Sequence, residues 1–419
     1  MDAEPGDAFR RRLASLKVDS SKAAVELVDM ILAEARASGA SDVHLQPTPD
    51  GLEMRWRVDG VLRPTGLIPA PLSANVVARL KVLSELLTYR TDVPQEGRVR
   101  GPSGEGEVRV STFPTLFGEK AVIRLFAASG RYLRLADLGL PPDVRDGLSA
   151  ALGETSGAVL LTGPAGSGKT TTIYACLREL VETSQGRRSL TTLEDPIEVA
   201  VPGVTQSQVN PAAGFDLETG LRSLLRQDPE VIVVGEVRDR PTAEVAFQAS
   251  LTGHLVLSTF HAGSASGAIG RLADMGIEPY LLRSGLLAVV SQRLVRTLCD
   301  CAVDEDDPRA RLGLPVARAR VAVGCASCGG TGYRGRMVLA ELLDPERLGL
   351  GQAILARADV REVERQALRA GMVGRWRRAC EAIEAGRTSP AEVRRVLGFS
   401  EGPGIGADSD EIAPRFAPF

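Results

Sequence analysis

The sequence lacks the long apolar segments and the large excess of one charge that mark several classes of protein. No apolar run in its 419 residues approaches the roughly 20 residues of a membrane span. The N-terminal MDAEPGDAFRRRLASL has no apolar core of a signal peptide. A formal net charge of -3 disfavours a protein that works mainly by clamping nucleic acid. We therefore expect a globular protein of the cytoplasm.

Lysine and cysteine are both scarce. Only five lysines accompany forty-five arginines, and one of the five, Lys169, lies in the strongest motif of the chain. Six cysteines in a chain of this size favour metal binding or reduced thiols over a disulfide framework. Cys176 and Cys380 fall within predicted helices, where we expect them to be buried as small apolar side chains.

The length predicts two to four domains, at about 100–200 residues per domain. Residues 21–127 follow the order helix, strand pair, helix, strand pair, which predicts a small α+β domain. In residues 151–298, short apolar runs bounded by turns alternate with helical segments, as expected for buried parallel strands with helical crossovers. The remaining segments are interpreted as an arm at 1–20, a linker at 128–150, a cysteine-rich insertion at 299–335, a helical part at 336–399 and a disordered tail at 400–419.

A phosphate-binding loop is the clearest motif. Residues 163–170, GPAGSGKT, match GxxxxGK[ST] and stand between an apolar strand and a helix. The glycines let backbone N–H groups reach phosphate oxygens, and the positive end of the helix favours the anion. Lys169 is expected to contact the β- and γ-phosphates, and Thr170 to hold Mg²⁺. The predicted nucleotide-binding residues are Gly163, Pro164, Ala165, Gly166, Ser167, Gly168, Lys169, Thr170 and Thr171.

Acidic residues follow two further apolar strands. VIVVGEVRD puts Glu236 just past a strand, where an acid can order a magnesium shell or polarise an attacking water. The alternative for Glu236 is an exposed charged loop. TTLEDPIE places Glu194 and Asp195 at a strand end before a proline, and such a pair either forms a turn or belongs to the site. Asp239 is expected to cap the following helix.

Histidines and arginines supply the remaining candidates. His254 and His261 bracket a strand in TGHLVLSTFHA, where they are either structural or hydrogen-bond to the γ-phosphate; His44, in the small domain, is expected to be structural. Four arginines are candidates for stabilising charge on the γ-phosphate, although a solvated face is the default interpretation in so arginine-rich a chain. They are Arg109 and Arg124 in the small domain, and Arg222 and Arg226 on one helix face.

Four cysteines form a candidate metal site. Cys299 and Cys301 are separated by one residue, Cys325 and Cys328 by two, and 23 residues lie between the pairs. Four thiolates at such spacing suit tetrahedral Zn²⁺ in a closed, structural site. The first pair is tighter than the usual CxxC.

Taken in order, these segments resemble the type II secretion and type IV pilus assembly ATPases. The resemblance covers about residues 20–398 and rests on SDVHLQP, PQEGR, STFPTLFGEKAVIRLF, TGPAGSGKTTT, TTLEDPIE, LRSLLRQDPEVIVVGEVRD, TGHLVLSTFHA, SQRLVRTLC, TGYRGR and GRTSPAEVRRVL. It implies an α/β fold with a RecA-like P-loop domain, preceded by the smaller α+β domain and followed by the cysteine-rich insertion and the helical part. It also implies a hexamer in which ATP hydrolysis rotates domains and drives pilin or pseudopilin assembly at an inner-membrane platform protein.

The resemblance also assigns roles to individual residues. TLEDPIE corresponds to the family's acidic box, which implies that Glu194 and Asp195 lie near the metal and the γ-phosphate. TGHLVLSTFHA corresponds to its histidine box, which favours His254 and His261 as nucleotide sensors. Arg109, Arg124, Arg222 and Arg226 match positions of charge-stabilising arginines. Two departures are the CDC in place of CxxC and the short segment before the small domain, from which we expect the family's usual N-terminal docking domain to be absent.

Three other functions fit the sequence less well than an assembly motor. Retraction ATPases of the same superfamily generally lack the tetracysteine element. A DNA-transfer motor is disfavoured by the acidic balance, which predicts no nucleic-acid partner. A nucleotide-binding scaffold without hydrolysis is disfavoured by intact Lys169, Thr170, Glu194 and Glu236. The expected cofactors are ATP, Mg²⁺ and structural Zn²⁺, and the expected location is the cytoplasmic side of the inner membrane, through a protein partner.

Overall fold

The computed structural model describes residues 22–99, 108–125, 134–347 and 349–399, together with positions 9, 13 and 20. Nearly all of the predicted arm, the first part of the predicted linker and the predicted tail lie outside these residues. The chain divides into two compact units. The first is Met1–Gly130 with Leu298–Ala302 and Ala322–Arg336, and the second is Arg131–Thr297 with Val303–Val321 and Met337–Phe419. None of the described helices combines the length and apolar character needed to cross a membrane.

The first unit contains a six-stranded antiparallel sheet covered by two helices on one face. In chain order its elements are α1 (Ala23–Ala37), β1 (Ala40–Thr48), β2 (Gly51–Val58), β3 (Val61–Pro69), α2 (Ala70–Leu83), β4 (Gln95–Val99), β5 (Val108–Thr115) and β6 (Gly118–Leu125). The strand order is β3-β2-β1-β6-β5-β4. Buried residues of α1 recur every three or four positions, including Leu27 and Ile31. They share one apolar cluster with Val43 and Leu45 of β1.

Two strands of this sheet differ from the expected pattern of two strand pairs. The structure adds β3 and β4, which form the two edges of the sheet. Pro64 and Gly66 interrupt β3, and β4 reads QEGRV. An edge strand uses only one of its two hydrogen-bonding sides, so it tolerates proline and polar residues that a central strand excludes. Such strands carry a weak sequence signal.

The second unit is built on a seven-stranded sheet in the order β15-β12-β7-β11-β10-β8-β9. Its elements are α3 (Pro142–Leu152), β7 (Gly157–Thr162), α4 (Lys169–Ser184), β8 (Leu190–Glu194), β9 (Thr205–Gln208), α5 (Leu217–Leu224), β10 (Val231–Val234), α6 (Arg240–Leu251), β11 (Leu255–Phe260), α7 (Ala265–Asp274), α8 (Pro279–Gly285), β12 (Leu286–Leu298) and β15 (Tyr333–Leu343); a short antiparallel pair, β13 (Val303–Asp304) and β14 (Arg320–Val321), precedes β15. All pairs from β12 to β9 are parallel.

Helices cover both faces of this parallel sheet. The four central strands are buried along their whole length, as expected for parallel strands with helices on both faces, and β7 and β10 are almost entirely apolar. Alternate residues of β7 enter different clusters, because Leu160 packs with residues of α6 and α7 while Leu161 packs with residues of α3 and α4. The predicted fold class is confirmed, with an α/β P-loop domain, a smaller α+β domain, a cysteine cluster and a helical C-terminal part.

The helical C-terminal part belongs to the second unit and is joined to β12 by a buried carboxylate. It contains α9 (Leu350–Leu355), α10 (Val360–Arg369), α11 (Arg375–Glu384) and α12 (Pro390–Leu397). Glu392 of α12 is 1% exposed and accepts hydrogen bonds from Arg296 Nη2 at 2.7 Å and Arg395 Nη2 at 2.6 Å. Burial opposes its ionisation, but the hydrogen bonds from Arg395 and Arg296 outweigh burial and hold the pKa of Glu392 below its usual value.

We expect Glu392→Gln to lower the free energy of unfolding by about 3 kcal/mol at pH 7, because breaking a buried ion pair leaves the remaining charge uncompensated. Denaturant unfolding measures this loss. Glu218→Gln is the matched control: it breaks an exposed pair with Arg222 on α5 and should change stability by less than about 0.5 kcal/mol.

The effect of Glu392→Gln should also depend on pH. A carboxyl whose pKa is lowered by folding stabilises the chain above its unfolded pKa of about 4.3, and this contribution is lost as the pH falls through the folded pKa. The difference between the two proteins should therefore shrink in acid. An equal difference at pH 3 and pH 7 would contradict this account of Glu392.

Candidate active site

The phosphate loop connects β7 to α4 and has a backbone that requires glycine. Gly163, Gly166 and Gly168 have φ values of 148°, 74° and 93°, in the region that side chains disfavour. A Cβ atom on Gly163 would also lie 2.5 Å from the carbonyl oxygen of Gln292 and 2.5 Å from Ser167 Oγ. The loop therefore leaves a compact cradle of backbone groups at the N-terminus of α4.

Two polar side chains of the loop are suited to a bound anion. Lys169 is 8% exposed, and its Nζ donates to the carbonyl oxygens of Gly163 at 2.8 Å and Pro164 at 3.0 Å. Burial lowers the pKa of Lys169, and the nearby Glu236 opposes this effect. Ser167 Oγ is buried and has no hydrogen-bond partner among the described residues. An orphaned hydroxyl, a buried ammonium and a glycine cradle together fit a phosphate group.

Side chains that follow β11, β10 and β8 contact one another at the carboxyl ends of these parallel strands, which we call the sheet edge. His261 Nε2 lies 3.1 Å from Glu236 Oε1, and Arg238 Nε donates to Glu236 Oε2 at 2.8 Å. Arg238 also reaches Asp195, with Nη1 3.5 Å from Oδ2. The hydrogen bond to Glu236 raises the pKa of Arg238. The predicted residues Glu236, Asp195 and His261 are therefore brought together, with Arg238 between the two acids.

The loop that carries His261 is anchored through its backbone. Arg271 Nη1 donates to the carbonyl oxygen of His261, and Arg293 Nη2 donates to that of Gly263 at 2.6 Å.

A buried carboxylate fixes the start of the helix that follows this loop. Glu341 is 1% exposed and accepts hydrogen bonds from the first N–H groups of α7 and α11, those of Ala265 and Arg375, both at 2.9 Å. A buried carboxylate at two helix N-termini is favoured by both helix dipoles. The position of His261 is thus fixed by contacts that its own motif does not contain.

Glu194 lies beside Asp195 but turns into the protein interior. Its side chain is 7% exposed and accepts hydrogen bonds from Tyr174 Oη at 2.5 Å, Thr192 Oγ1 at 2.5 Å and Gln206 Nε2 at 3.1 Å. Burial and the hydrogen bond to Glu194 raise the pKa of Tyr174 well above its usual value. The two predicted acids therefore have different surroundings, since Asp195 is at the edge and Glu194 is enclosed.

His254 does not join this site. It precedes β11, and its Nδ1 lies 3.1 Å from the carbonyl oxygen of Ala249 at the end of α6. His261 follows the same strand, so the two histidines are separated by a strand of six residues, or roughly 20 Å. Of the two histidines, His261 lies at the edge that carries the phosphate loop and His254 lies at the other end of β11; the role of His254 as a nucleotide sensor stays a prediction.

The four predicted arginines make local contacts. Arg222 and Glu218 form an exposed ion pair on α5 with a distance of 3.0 Å, and Arg226 Nη1 donates to the carbonyl oxygen of Arg222 at 2.9 Å. In the first unit, Arg124 Nε donates to Asp42 at 3.1 Å, and Arg109 faces Arg124 across the β5–β6 pair. Their proposed action on the γ-phosphate stays a prediction.

Several residues that shape the site were not predicted from the sequence. Arg238 belongs to the same EVRD segment as Glu236. Its position two residues beyond that acid on the same segment could have indicated an ion pair between them. Tyr174, Gln206 and Arg293 carried no such signal, since each contacts residues that are distant in the chain. Asp239 caps α6 as predicted, accepting from the N–H of Thr242 at 2.9 Å, and Cys176 is fully buried as predicted.

The four predicted metal ligands form one cluster in the first unit. Their sulfur atoms all lie within 4.8 Å of one another, with Sγ–Sγ distances of 3.8 Å for Cys299 and Cys325, 3.9 Å for Cys301 and Cys328, and 3.8 Å for Cys325 and Cys328. A tetrahedral Zn²⁺ with bonds of about 2.3 Å requires sulfur atoms about 3.8 Å apart. Burial opposes ionisation of Cys328, but hydrogen bonds from the N–H groups of Cys325 and Gly332 lower its pKa to about 6. The cluster fits Zn²⁺ despite the tight CDC spacing.

Comparison with known proteins identifies close relatives. Residues 17–395 match the family model described as type II/IV secretion system protein. The chain is 42% identical over 382 residues to type II secretion system ATPase E of Vibrio cholerae, which covers 89% of this chain and 75% of that protein. It is 40% identical over 370 residues to the type IV pilus assembly ATPase PilB of Thermus thermophilus, covering 85% of this chain. The chain spans only 41% of the length of that second relative.

Solved structures share the fold at lower sequence identity. The chain matches the ATPase DotB of Legionella pneumophila with a TM-score of 0.64 and 22% identity, covering 88% of this chain and 95% of that one. It matches the pilus retraction motor PilT, solved with bound ADP, with a TM-score of 0.54 and 24% identity, covering 87% and 98% of the two chains. These likenesses support the fold.

The backbone of the phosphate loop generates a prediction for nucleotide binding. Gly163→Ala places a Cβ atom against Gln292 and Ser167 and should weaken binding of a fluorescent ATP analogue by about 100-fold, which corresponds to about 3 kcal/mol. Gly186→Ala is the matched control, since Gly186 also has a positive φ of 74° but has nothing within 4 Å of the added atom. It should leave nucleotide affinity unchanged. Equal affinities for the two variants would show that the cradle does not hold the nucleotide.

Proposed function

The chain belongs to the family of type II/IV secretion system proteins, and on that premise we propose that it is an ATP-hydrolysing motor. Its proposed role is to drive assembly of a type II secretion pseudopilus or a type IV pilus. The observation that carries this proposal is the phosphate loop together with Glu236 and His261 at the same edge of the sheet, where His261 Nε2 lies 3.1 Å from Glu236 Oε1. A binding scaffold would need the loop but not an acid and a histidine beside it.

The residues of the loop are proposed to hold Mg²⁺-ATP. Backbone N–H groups of 163–170 and the hydroxyl of Ser167 would contact phosphate oxygens, and Thr170 would contribute to the magnesium shell. Lys169 would exchange its two carbonyl partners in the loop for the β- and γ-phosphates, where its charge neutralises the oxygens. Bound Mg²⁺ supplies a positive charge that stabilises the transferred phosphoryl group.

The linked residues at the sheet edge are proposed to act on the attacking water. Glu236 would orient the water and accept its proton, a task that requires a carboxylate within hydrogen-bond reach. His261 contacts the same carboxylate and would hydrogen-bond to the γ-phosphate once Glu236 turns to the water. Asp195 would order the magnesium shell from the neighbouring strand end, and the family resemblance assigns Glu194 to the same shell.

Arginines are proposed to stabilise the charge that develops on the γ-phosphate. In the first unit, the register aligns Arg57, Asp42, Arg124 and Arg109 across four adjacent strands, and Asp42 pairs with Arg57 at 3.4 Å and with Arg124 at 3.1 Å. Guanidinium groups match the geometry of phosphate oxygens. We propose that Arg109 and Arg124, with Arg222 and Arg226, act on ATP within a homo-hexamer, whether from the same subunit or a neighbouring one.

The proposed surroundings of the motor follow from its relatives. We infer a cytoplasmic, peripheral location at the inner membrane through a platform protein, with no nucleic-acid partner. Assembly is favoured over retraction because the chain has the four-cysteine cluster, which retraction ATPases of the superfamily generally lack. Zn²⁺ is proposed to occupy the tetracysteine cluster as a structural ion, without taking part in the chemistry.

Hydrolysis provides the direct test of the motor. Glu236→Gln should lower the turnover of Mg²⁺-ATP by about 10²–10⁴-fold while nucleotide affinity is retained, since the amide cannot accept the water's proton. Glu244→Gln is the matched control because Glu244 pairs with Arg240 on the exposed side of α6, and it should be as active as the unaltered chain. Turnover per chain should rise with protein concentration if subunits complete each other's sites. Unchanged turnover in Glu236→Gln would contradict the assignment.

Metal analysis tests the cysteine cluster. The purified chain should contain one Zn²⁺, and Cys325→Ser should lose it, because a hydroxyl is a poor replacement for a thiolate ligand. Cys380→Ser is the control, since Cys380 lies in α11 outside the cluster, and it should keep the ion. A chain that remains free of zinc after reconstitution under reducing conditions would contradict the proposal.

A further inference from the structure

Tyr174 is a buried hydroxyl to which the proposed chemistry assigns no role. It lies on α4, five residues beyond Lys169, and is 4% exposed. Its Oη donates to Glu194 Oε2 at 2.5 Å and accepts from the backbone N–H groups of Glu198 at 3.1 Å and Val199 at 3.3 Å. A phenolic hydroxyl offers one donor and two acceptor positions. All of its hydrogen-bonding capacity therefore joins the helix of the phosphate loop to the segment after β8.

Glu194 is the centre of the same network. Its second oxygen accepts from Thr192 Oγ1 at 2.5 Å and from Gln206 Nε2 at 3.1 Å. Turning this carboxylate toward a metal ion at the sheet edge would leave the buried hydroxyl groups of Tyr174 and Thr192 without their acceptor. An unpaired buried donor is strongly disfavoured. The carboxylate is thus suited to holding its neighbours rather than to joining a magnesium shell.

Gln206 completes the support of this segment. Its Nε2 also donates to the carbonyl oxygen of Val199 at 3.0 Å, and its Oε1 accepts from the N–H of Val201 at 2.6 Å. Tyr174 and Gln206 together bind four backbone groups between positions 198 and 201. The segment therefore depends on side chains from α4 and β9 for its conformation.

The supported segment, 198–201, follows closely after Asp195, which reaches the sheet edge. Asp195 directly follows Glu194, and its carboxylate contacts Arg238, which donates to Glu236. The contacts thus form a continuous series from the phosphate-loop helix through Tyr174 and Glu194 to Asp195, Arg238 and Glu236. We therefore expect a displacement of Tyr174 to move the acids at the sheet edge.

We propose that Tyr174 and Glu194 form a positioning joint that sets Asp195 relative to the phosphate loop, and that Glu194 is not a ligand of the magnesium shell. This inference rests on the proposed function, because the joint affects catalysis only if the chain hydrolyses ATP at this site. It revises the role that the family resemblance implies for Glu194 and leaves Asp195 as the acid of this box that faces the metal.

The kinetic test uses Tyr174→Phe, which removes the hydroxyl and keeps the ring packing. The turnover of Mg²⁺-ATP should fall about 10-fold while the KM for ATP stays within about twofold, because substrate still binds the loop but the acids are misplaced. Thr192→Val is the matched control: it removes another donor to Glu194 without touching 198–201, and its effect should be smaller. Unaltered turnover in Tyr174→Phe, or a loss matched by Thr192→Val, would overturn the role of Tyr174.

Magnesium dependence separates positioning from ligation. If Glu194 belongs to the joint, Glu194→Gln should lower turnover without raising the Mg²⁺ concentration required for half-maximal rate. The double variant with Tyr174→Phe should then be no slower than the slower single variant, because both changes break one network. A clearly raised Mg²⁺ requirement in Glu194→Gln alone would overturn the assignment and return Glu194 to the metal shell.

Amide hydrogen exchange tests the joint without relying on hydrolysis. In Tyr174→Phe, the amides of Glu198 and Val199 lose their acceptor and should exchange at least about 10-fold faster, while amides of β7 are unchanged. If the unaltered chain fails to hydrolyse ATP, the proposed motor function is contradicted and this measurement still decides whether the joint exists. Unchanged exchange at both amides would overturn the joint even in an active enzyme.

Discussion

Parallel pairing of β8, β10, β11 and β7 is the constraint on which the site depends. Parallel strands end at the same edge of a sheet, so the residues that follow them meet there although they are far apart in the chain. Gly163, Asp195, Glu236 and His261 each come directly or closely after one of these strands. Any element that fixes the register of the sheet, such as the clusters on its two faces, therefore also fixes the geometry of the site.

The charged side chains Lys169 and Glu236 each contact polar or charged groups of the protein. Lys169 donates to its own loop, and Glu236 is shared by His261 and Arg238. A buried charge needs a partner, and these pairs satisfy the need with groups that a nucleotide, its metal and a water can replace. The arrangement explains how reactive groups are kept ordered in a partly buried place and how binding can redirect them.

The sequence could predict the parts of the site that depend on local chain geometry. The phosphate loop requires glycine at fixed positions between a strand and a helix, so its residues can be recognised within one short segment of sequence. The histidines were harder, because spacing along a strand does not state at which end of the sheet each residue lies; His254 and His261 occupy opposite ends of β11. The orientation of Glu194 was not accessible, since its partners Tyr174 and Gln206 come from other elements. The edge strands β3 and β4 were missed because half of their backbone is free of sheet constraints.

Three buried carboxylates carry the connections that the sequence pattern did not reveal. Glu194 joins α4 and β9 to the acidic segment, Glu341 joins the N-termini of α7 and α11, and Glu392 joins β12 to α12. Each is nearly inaccessible to water, so each is tolerated only while all its donors stay in place. Apolar contacts allow neighbouring elements to slide, whereas a carboxylate with several fixed donors allows one arrangement. The position of the acids at the sheet edge is therefore specified by polar contacts inside the fold. The apolar clusters provide the folding free energy that offsets the cost of burying these carboxylates.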